Sequence, residues 1–415
     1  MIDVKKTLDT RTELIYALNE AAELEQGFMI QYLFAAMTMK KHLDERITGK
    51  QQELIRQWES QILSVAREEM AHLGMVCNLL SAIGGAPHFE RPNFPQKAAD
   101  YYPFDFILSP FSQETLYRFI RFELPKDEQL PDPPIPSSKS KMFELFSFAP
   151  DPIEYDYLSE LYNQIRYGFN YIEEDELFIG PKSGQDYEYW SRRVQILNVK
   201  NRENANSVID LIIDNGEGAP EKREGSHYNT FLKIYEELRL EMRIQPDFDP
   251  SRPVVLNPRT RKHHRDTHLD GTFIKNESSR KVAELFNLCY ETSLLMLSQL
   301  YSLGGESLSE RGVLRKSSRH LMTMAIRPIA EILTDMPISD KETDGNAGPP
   351  FELYGKLQLS TQEPNRWIIL NELLDSIILG TKELSDSNQR FAFISENISL
   401  IQNNINETLS SEERL

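Results

Sequence analysis

The sequence has 415 residues, 40% apolar and 27% charged, with a formal net charge of −18. That length exceeds one simple helical bundle and supports a sizeable core. The acidity argues against nucleic acid and an anionic membrane surface as partners, because both favour a basic face. No apolar run nears the ~20 residues that span a bilayer, and Met1 to Lys6 leads into a polar stretch rather than a signal segment, so the expected compartment is the cytoplasm.

Residues 12–41 read as a long helix, with Leu14, Leu18, Ala21, Ala22, Phe28, Met29, Tyr32, Leu33 and Ala36 recurring three and four apart. A second helix over 51–83 carries Ile55, Trp58, Ile62, Val65, Ala66, Val76 and Leu80 on one stripe and stops at Gly84-Gly85-Ala86-Pro87. The short link near Gly49 predicts an antiparallel hairpin. Residues 88–153 form a crossover rich in proline and aromatics, with one short helix at 112–123 and an exposed connection from Pro125 to Lys141. Such a crossover lets the second and third helices of a bundle run in the same direction. A third helix covers 153–174, a short helix 203–214 ends at Asn215-Gly216, and a fourth main helix covers 226–243. After irregular residues 244–275, amphipathic helices are expected at 278–303, 308–335 (kinked by Pro328), 365–383 and 387–408. Strand signals are nearly absent, so the fold class is all-α. The division expected is a four-helix bundle over 1–245, with its crossover at 88–153, and a C-terminal helical region over 246–415 packed on it.

Two tetrads carry chemistry: Glu69-Met70-Ala71-His72 and Glu224-Gly225-Ser226-His227. On a helix, residues three apart share a face and can grip one metal or two neighbouring ones. Di-metal carboxylate bundles draw Glu-x-x-His from two helices and one Glu from each of two others. Phase adds weight: Glu25 and Glu69 sit in the middle of apolar stripes, where an uncompensated carboxylate is costly. Grouped carboxylates repel one another, and two divalent cations would neutralise four of them. The structural alternatives are a buried salt-bridged pair at Glu69 and His72, and a helix-capping acid at Glu224. Glu68, one step off the stripe, reads as a solvated surface group. Tyr32, seven residues after Glu25, is either a redox or hydrogen-bonding neighbour of the metals or a core tyrosine. The aromatics at 101–122 either line a pocket or pack the crossover. His263, His264 and His268 read as a solvated loop, and Cys77 and Cys289 as buried thiols. No nucleotide-binding glycine loop and no Gly-x-Ser-x-Gly elbow occur.

The runs Asn19-Glu20-Ala21-Ala22-Glu23-Leu24-Glu25-Gln26, Gln31-Tyr32-Leu33 and Glu68-Glu69-Met70-Ala71-His72-Leu73 resemble the ferritin-like (rubrerythrin-type) superfamily. Within it they are most similar to the ferritin-like domain of the violacein-pathway iminophenyl-pyruvate dimer synthase. Leu158-Ser159-Glu160-Leu161-Tyr162, Asn215-Gly216-Glu217-Gly218, Ser226-His227-Tyr228 and Ala347-Gly348-Pro349-Pro350-Phe351-Glu352 extend the resemblance over about residues 12–352. It implies a ferritin-like four-helix bundle and a ligand set of Glu25, Glu69, His72, Glu160, Glu224 and His227. Glu160 lies opposite the aliphatic stripe of its helix, with Tyr157, Gln164, Tyr167 and Tyr171, so Glu154 and Glu217 stay open as substitutes.

The function this suggests is a non-haem di-iron, or mixed di-metal, oxidase or oxygenase. It would hold two Fe ions, with Mn as another occupant, and act with O2 on a small organic, amino-acid-derived substrate of specialised metabolism, with Tyr32 as the catalytic candidate. A homo-oligomer is compatible with the sequence. Two other readings remain: an iron-binding ferroxidase without an organic substrate, and a helical scaffold with a degenerate metal site.

Overall fold

Helix α1 (Arg11–Met37) opens on a reciprocal cap: Thr10 Oγ1 accepts from the Glu13 N–H, and the Glu13 carboxylate accepts from the Thr10 N–H. Thr48 and Gln51 repeat the device at the start of α2 (Gly49–Ala82). The computed structural model describes residues 7–98, 103–126, 128–134, 155–188, 195–216, 225–263, 271–302, 305–360 and 364–412. The chain divides into two compact units. One comprises Met1–Gly85, Phe94–Gly180 and Asp186–Arg252; the other comprises Ala86–Asn93, Pro181–Gln185 and Pro253–Leu415.

In the first unit α1 and α2 pack as the expected hairpin. The third and fourth bundle positions are each shared by two shorter helices. Helices α3 (Gln113–Phe122) and α4 (Leu158–Tyr171) lie against α1, whereas α6 (Arg202–Asn215) and α7 (His227–Ile244) lie against α2. Helix α3 also packs on α7, and α4 packs on α6 and on the short α5 (Glu174–Leu177). Ser112 and Ser226 cap α3 and α7 by accepting from the N–H three residues on.

The one-sided apolar stripe expected for the first helix is too narrow a description. Every residue from Ala21 to Tyr32 is buried, because the crossover covers the outer face. Phe104, Phe106 and Phe122 surround the Phe28 ring at centroid distances of 5.7, 5.5 and 4.7 Å. Gly27 makes this possible: a Cβ there would stand 2.2 Å from Phe106 Cε2. Gln31 fastens the layer, donating to the Gly27 carbonyl and accepting from the Ile107 N–H. The crossover aromatics within the described residues are therefore packing groups. Helix α1 stops at Met37 rather than near 41, because Met39 bridges Ser251, Lys40 N donates to Pro250 O and Arg252 N donates to Thr38 O.

The second unit holds α8 (Glu277–Leu300), α9 (Leu308–Leu321), α10 (Arg327–Leu333), α11 (Asn365–Ser385) and α12 (Arg390–Glu412). Helix α8 packs on α9, α10 and α11, and α12 packs on α9 and α11. A two-residue parallel pair, β1 (Pro258–Arg259) with β2 (Thr272–Phe273), lies in the stretch expected to be irregular. Pro328 lacks an N–H, and the π-helical turn Met322–Ile326 immediately ahead of it accommodates the loss. Glu352, in the Ala-Gly-Pro-Pro-Phe-Glu run, is buried and accepts from Thr260 N, Thr260 Oγ1 and Asn287 Nδ2. Cys77 and Cys289 are buried thiols. No helix is long and apolar enough to cross a membrane among the described residues.

Candidate metal centre

Helices α1 and α2 run unbroken past the centre of the first unit and carry Glu25, Glu69 and His72 inward at mid-helix. The other two contributors stand at helix ends. Glu123 is the residue that closes α3, and His227 is the first residue of α7. All five are buried. They form two donor groups, Glu25–Glu69–His72 and Glu69–Glu123–His227, each within 4.8 Å, with Glu69 common to both.

The atoms divide accordingly. Glu69 Oε2 lies 2.9 Å from His72 Nδ1, which is also 3.5 Å from Glu25 Oε2. Glu69 Oε1 lies 3.0 Å from His227 Nδ1, which is 3.5 Å from Glu123 Oε2. The two imidazole centroids are 5.6 Å apart. Each outer carboxylate has its other oxygen covered by a buried tyrosine. Tyr32 Oη donates to Glu123 Oε1 at 2.5 Å, and Tyr162 Oη donates to Glu25 Oε1. Among the described residues, Glu25 Oε2, Glu69 Oε1, Glu123 Oε2 and His227 Nδ1 are buried without a hydrogen-bond partner, as is His72 Nε2. Gly216, just past α6, permits the close approach, since a Cβ there would lie 3.0 Å from His227 Nδ1 and 3.4 Å from His72 Cε1.

Burial alone would neutralise all of these groups, and their shifts show how they hold charge against it. Burial, opposed by the His72 bond and aided by the Glu69 charge, pushes Glu25 up to about 7. Glu123 is raised by burial and then by Glu69. Burial also opposes ionisation of Glu69, yet His227 and His72 hold its carboxyl well below the carboxylate range. Burial would lower both histidines, but Glu25 and Glu69 raise His72 to about 9, and Glu69 with Glu123 raises His227 well above the usual imidazole value. The cluster thus demands positive charge. Protonated imidazoles can supply it, and so can cations on the same Nδ1 and carboxylate atoms. Buried polar atoms are rarely unpartnered, and carboxylate oxygens with imidazole nitrogens suit iron and manganese. The donor set therefore fits metal binding, with Glu69 common to both donor groups.

Of the residues expected from the sequence, Glu25, Glu69, His72 and His227 come together, and Tyr32 stands beside them through Glu123. Glu160 does not join the donor groups. It lies at the start of α4, where Lys126 Nζ donates to it at 3.0 Å and Asp156 N at 3.2 Å. Glu224, and the substitutes Glu154 and Glu217, fall outside the described residues, as do His264 and His268; His263 is exposed. Glu68 is corrected: it is buried rather than solvated, and its Oε2 lies 3.2 Å from His227 Nε2, because the start of α7 covers this side of α2. Sequence reasoning missed Glu123 and Tyr162. The signal for Glu123 was present, a lone acid after Leu116, Phe119, Ile120 and Phe122 and just ahead of Leu124-Pro125.

A family profile described as Ferritin-like matches residues 18–236, more than half of the chain. Dichlorochromopyrrolate synthase of Lentzea aerocolonigenes is 28% identical over 394 residues, covering 84% of this chain and 36% of the relative. The 2-imino-3-(indol-3-yl)propanoate dimerase of Chromobacterium violaceum is 25% identical over 371 residues, covering 83% and 34%. The chain thus spans about a third of the length of the curated relatives it matches. Among solved structures, a ferritin-like protein from Caulobacter vibrioides matches with a TM-score of 0.49 and 17% identity, over 79% of this chain and 96% of that one. With that profile match over an all-helical bundle, the chain belongs to the ferritin-like family.

Proposed function

We propose that this chain is a di-iron oxidase or oxygenase, with manganese as another occupant, that uses O2 on a small amino-acid-derived organic acid. The observation that carries the reading is the convergence of buried, unpartnered oxygen and nitrogen atoms on two donor groups that share Glu69. Two relatives add the substrate class: their names describe a chromopyrrolate synthase and a dimerase of an indolyl imino-propanoate.

Each residue has a definable part. Glu69 presents one oxygen to each donor group and would hold both cations at a fixed separation. Glu25 with His72, and Glu123 with His227, would complete the two positions. Bound iron supplies one-electron and O2 chemistry that no protein side chain provides. Tyr162 and Tyr32 each donate to one oxygen of an outer carboxylate, so each carboxylate would offer its other oxygen to a bound ion. The Tyr32 hydroxyl also holds a proton at Glu123 Oε1, within the buried centre. The closed packing around Phe28, Phe119 and Phe231 excludes water on the Tyr32 side, which strengthens every electrostatic contact there.

The test is metal analysis followed by O2 uptake. Iron-loaded protein is expected to hold two ions per chain and to consume O2 when given arylpyruvates in ammonia buffer, which furnishes the imino acids. Protein that holds neither iron nor manganese ends the metal reading. Fe(II) consumption of O2 that no organic acid alters would favour the ferroxidase alternative. Glu69→Ala and His72→Ala with structure and activity intact would leave only the degenerate scaffold.

A further inference from the structure

The two donor groups look alike in composition but differ one step further out. His227 Nδ1 faces Glu69 and Glu123, and its opposite nitrogen, Nε2, lies 3.2 Å from the buried carboxylate of Glu68. His72 Nδ1 faces Glu25 and Glu69 in the same manner, yet its Nε2 is buried without any hydrogen-bond partner. When Nδ1 binds a cation, the ring proton must sit on Nε2. At His227 that N–H donates to a carboxylate; at His72 it meets no acceptor among the described residues.

We propose that Glu68 makes the two cation positions unequal. It is a positioning residue for His227, fixing the tautomer that presents Nδ1 and raising the basicity of that nitrogen, so that the Glu123–His227 position fills before the Glu25–His72 position. The inference rests on the two-cation reading above. The carboxylate partner of a ligating imidazole typically governs metal affinity by about 10–100-fold, and among the described residues one of the two imidazoles has such a partner. The remaining ligands are balanced: each position has one outer carboxylate capped by a tyrosine and one oxygen of Glu69. Glu68 is therefore the chief difference between the positions among the described residues. Its side chain follows directly from the doubled acid Glu68-Glu69, in which neighbouring residues on α2 serve different tasks, one against the cations and one behind an imidazole.

The experiment titrates metal-free, full-length protein with Co(II) alone, followed by calorimetry and by visible absorbance. The native chain is expected to bind two ions in two steps, the first about 10–100-fold tighter. Glu68→Leu should weaken the first step toward the second and leave the second unchanged, a selectivity that general damage to the fold would not produce. Glu68→Gln keeps an acceptor for the Nε2 proton but loses the charge, and should give a smaller fall in the same step. It serves the comparison alone if the apolar variant does not fold. Two ions bound with equal affinity by the native chain, or a first step at native affinity in both variants, overturns the assignment while sparing the two-cation reading. A native chain that binds no Co(II), Fe(II) or Mn(II) overturns both.

Discussion

Glu123→Gln is expected to remove one cation from the centre and leave the other. The substitution keeps the shape of the side chain and an oxygen to accept from Tyr32, but it replaces the anionic oxygen Oε2 that faces His227. In metal-free protein the cost should be small, because burial and the Glu69 charge already raise the Glu123 carboxyl toward its neutral form. In metal-loaded protein it should be large. A cation at a free concentration 100 times its Kd stabilises the fold by about 2.7 kcal/mol. At about 2–4 °C per kcal/mol for a unit of this size, the rise in Tm on adding metal should shrink by about 5–10 °C. The assay pairs metal content per chain with calorimetric melting, with and without Mn(II). Glu160→Gln is the control and should change neither, since Glu160 bonds to Lys126 and the Asp156 N–H instead. Glu123→Gln protein that holds two ions and keeps the full metal-dependent rise would refute Glu123 as a donor.

Three further outcomes follow from the same geometry. Gly27→Ala should lower Tm, because the new methyl would stand 2.2 Å from Phe106 Cε2; overpacking of this kind costs about 1–3 kcal/mol, and an unchanged melting curve would contradict the packing of the crossover on α1. Tyr162→Phe leaves Glu25 Oε1 without its donor, a buried acceptor worth about 1–3 kcal/mol, and should raise the apparent pKa of Glu25 in metal-free protein, measured by carboxylate infrared bands. Glu45 gives a pH signature: partial burial opposes its ionisation, but Arg252 and the N–H groups of Lys41 and His42 hold its carboxyl below the ordinary 4.5. A depressed pKa contributes stability above 4.5 that disappears as pH falls through the folded-state value. Glu45→Gln should therefore be less stable than the native chain at pH 6 in urea titrations, and the gap should close in acid.

Most of the centre visible in the sequence is carried by long, regular helices; His227, at the start of α7, was read from its own Glu-x-x-His tetrad. Glu25 and Glu69 betray themselves by phase, since a period of 3.6 residues places each among core side chains, and His72 follows from its spacing to Glu69. Glu123 stayed hidden because it stands at a helix end. Glu123 terminates a ten-residue helix, too short for a stripe to expose its phase, and no histidine lies three residues on to mark it. Glu160 is the opposite case. Its place in a matching run suggested a ligand, while its phase put it with Tyr167 and Tyr171; those tyrosines are exposed, and Glu160 lies outside both donor groups. Glu68 was misjudged because a stripe read from α2 alone ignores what the start of α7 covers. Splitting the third and fourth bundle positions into pairs of helices is equally invisible to periodicity, which registers turns but not which helices share a row.

Those splits bear on the charge of the centre. A helix carries about half a positive charge at its N-terminus and half a negative charge at its C-terminus. Glu123 closes α3, where the negative end disfavours a carboxylate and welcomes a cation. His227 opens α7, where the positive end disfavours an imidazolium and favours the neutral ring that can act as a ligand. Protons compete for the same demand, since Glu69 and Glu123 raise His227 well above the usual imidazole value, yet a protonated His227 stands against its own helix dipole. A cation held by the two side chains would suit both ends at once. The four carboxylates Glu25, Glu68, Glu69 and Glu123, balanced by two divalent ions, would then bring the buried cluster close to neutrality. Continuous helices α1 and α2 carry Glu25, Glu69 and His72, while the helix ends opposite them would bias the site toward a bound cation. A variant chain that extended α3 past Glu123 would lose that bias, even with every donor residue retained.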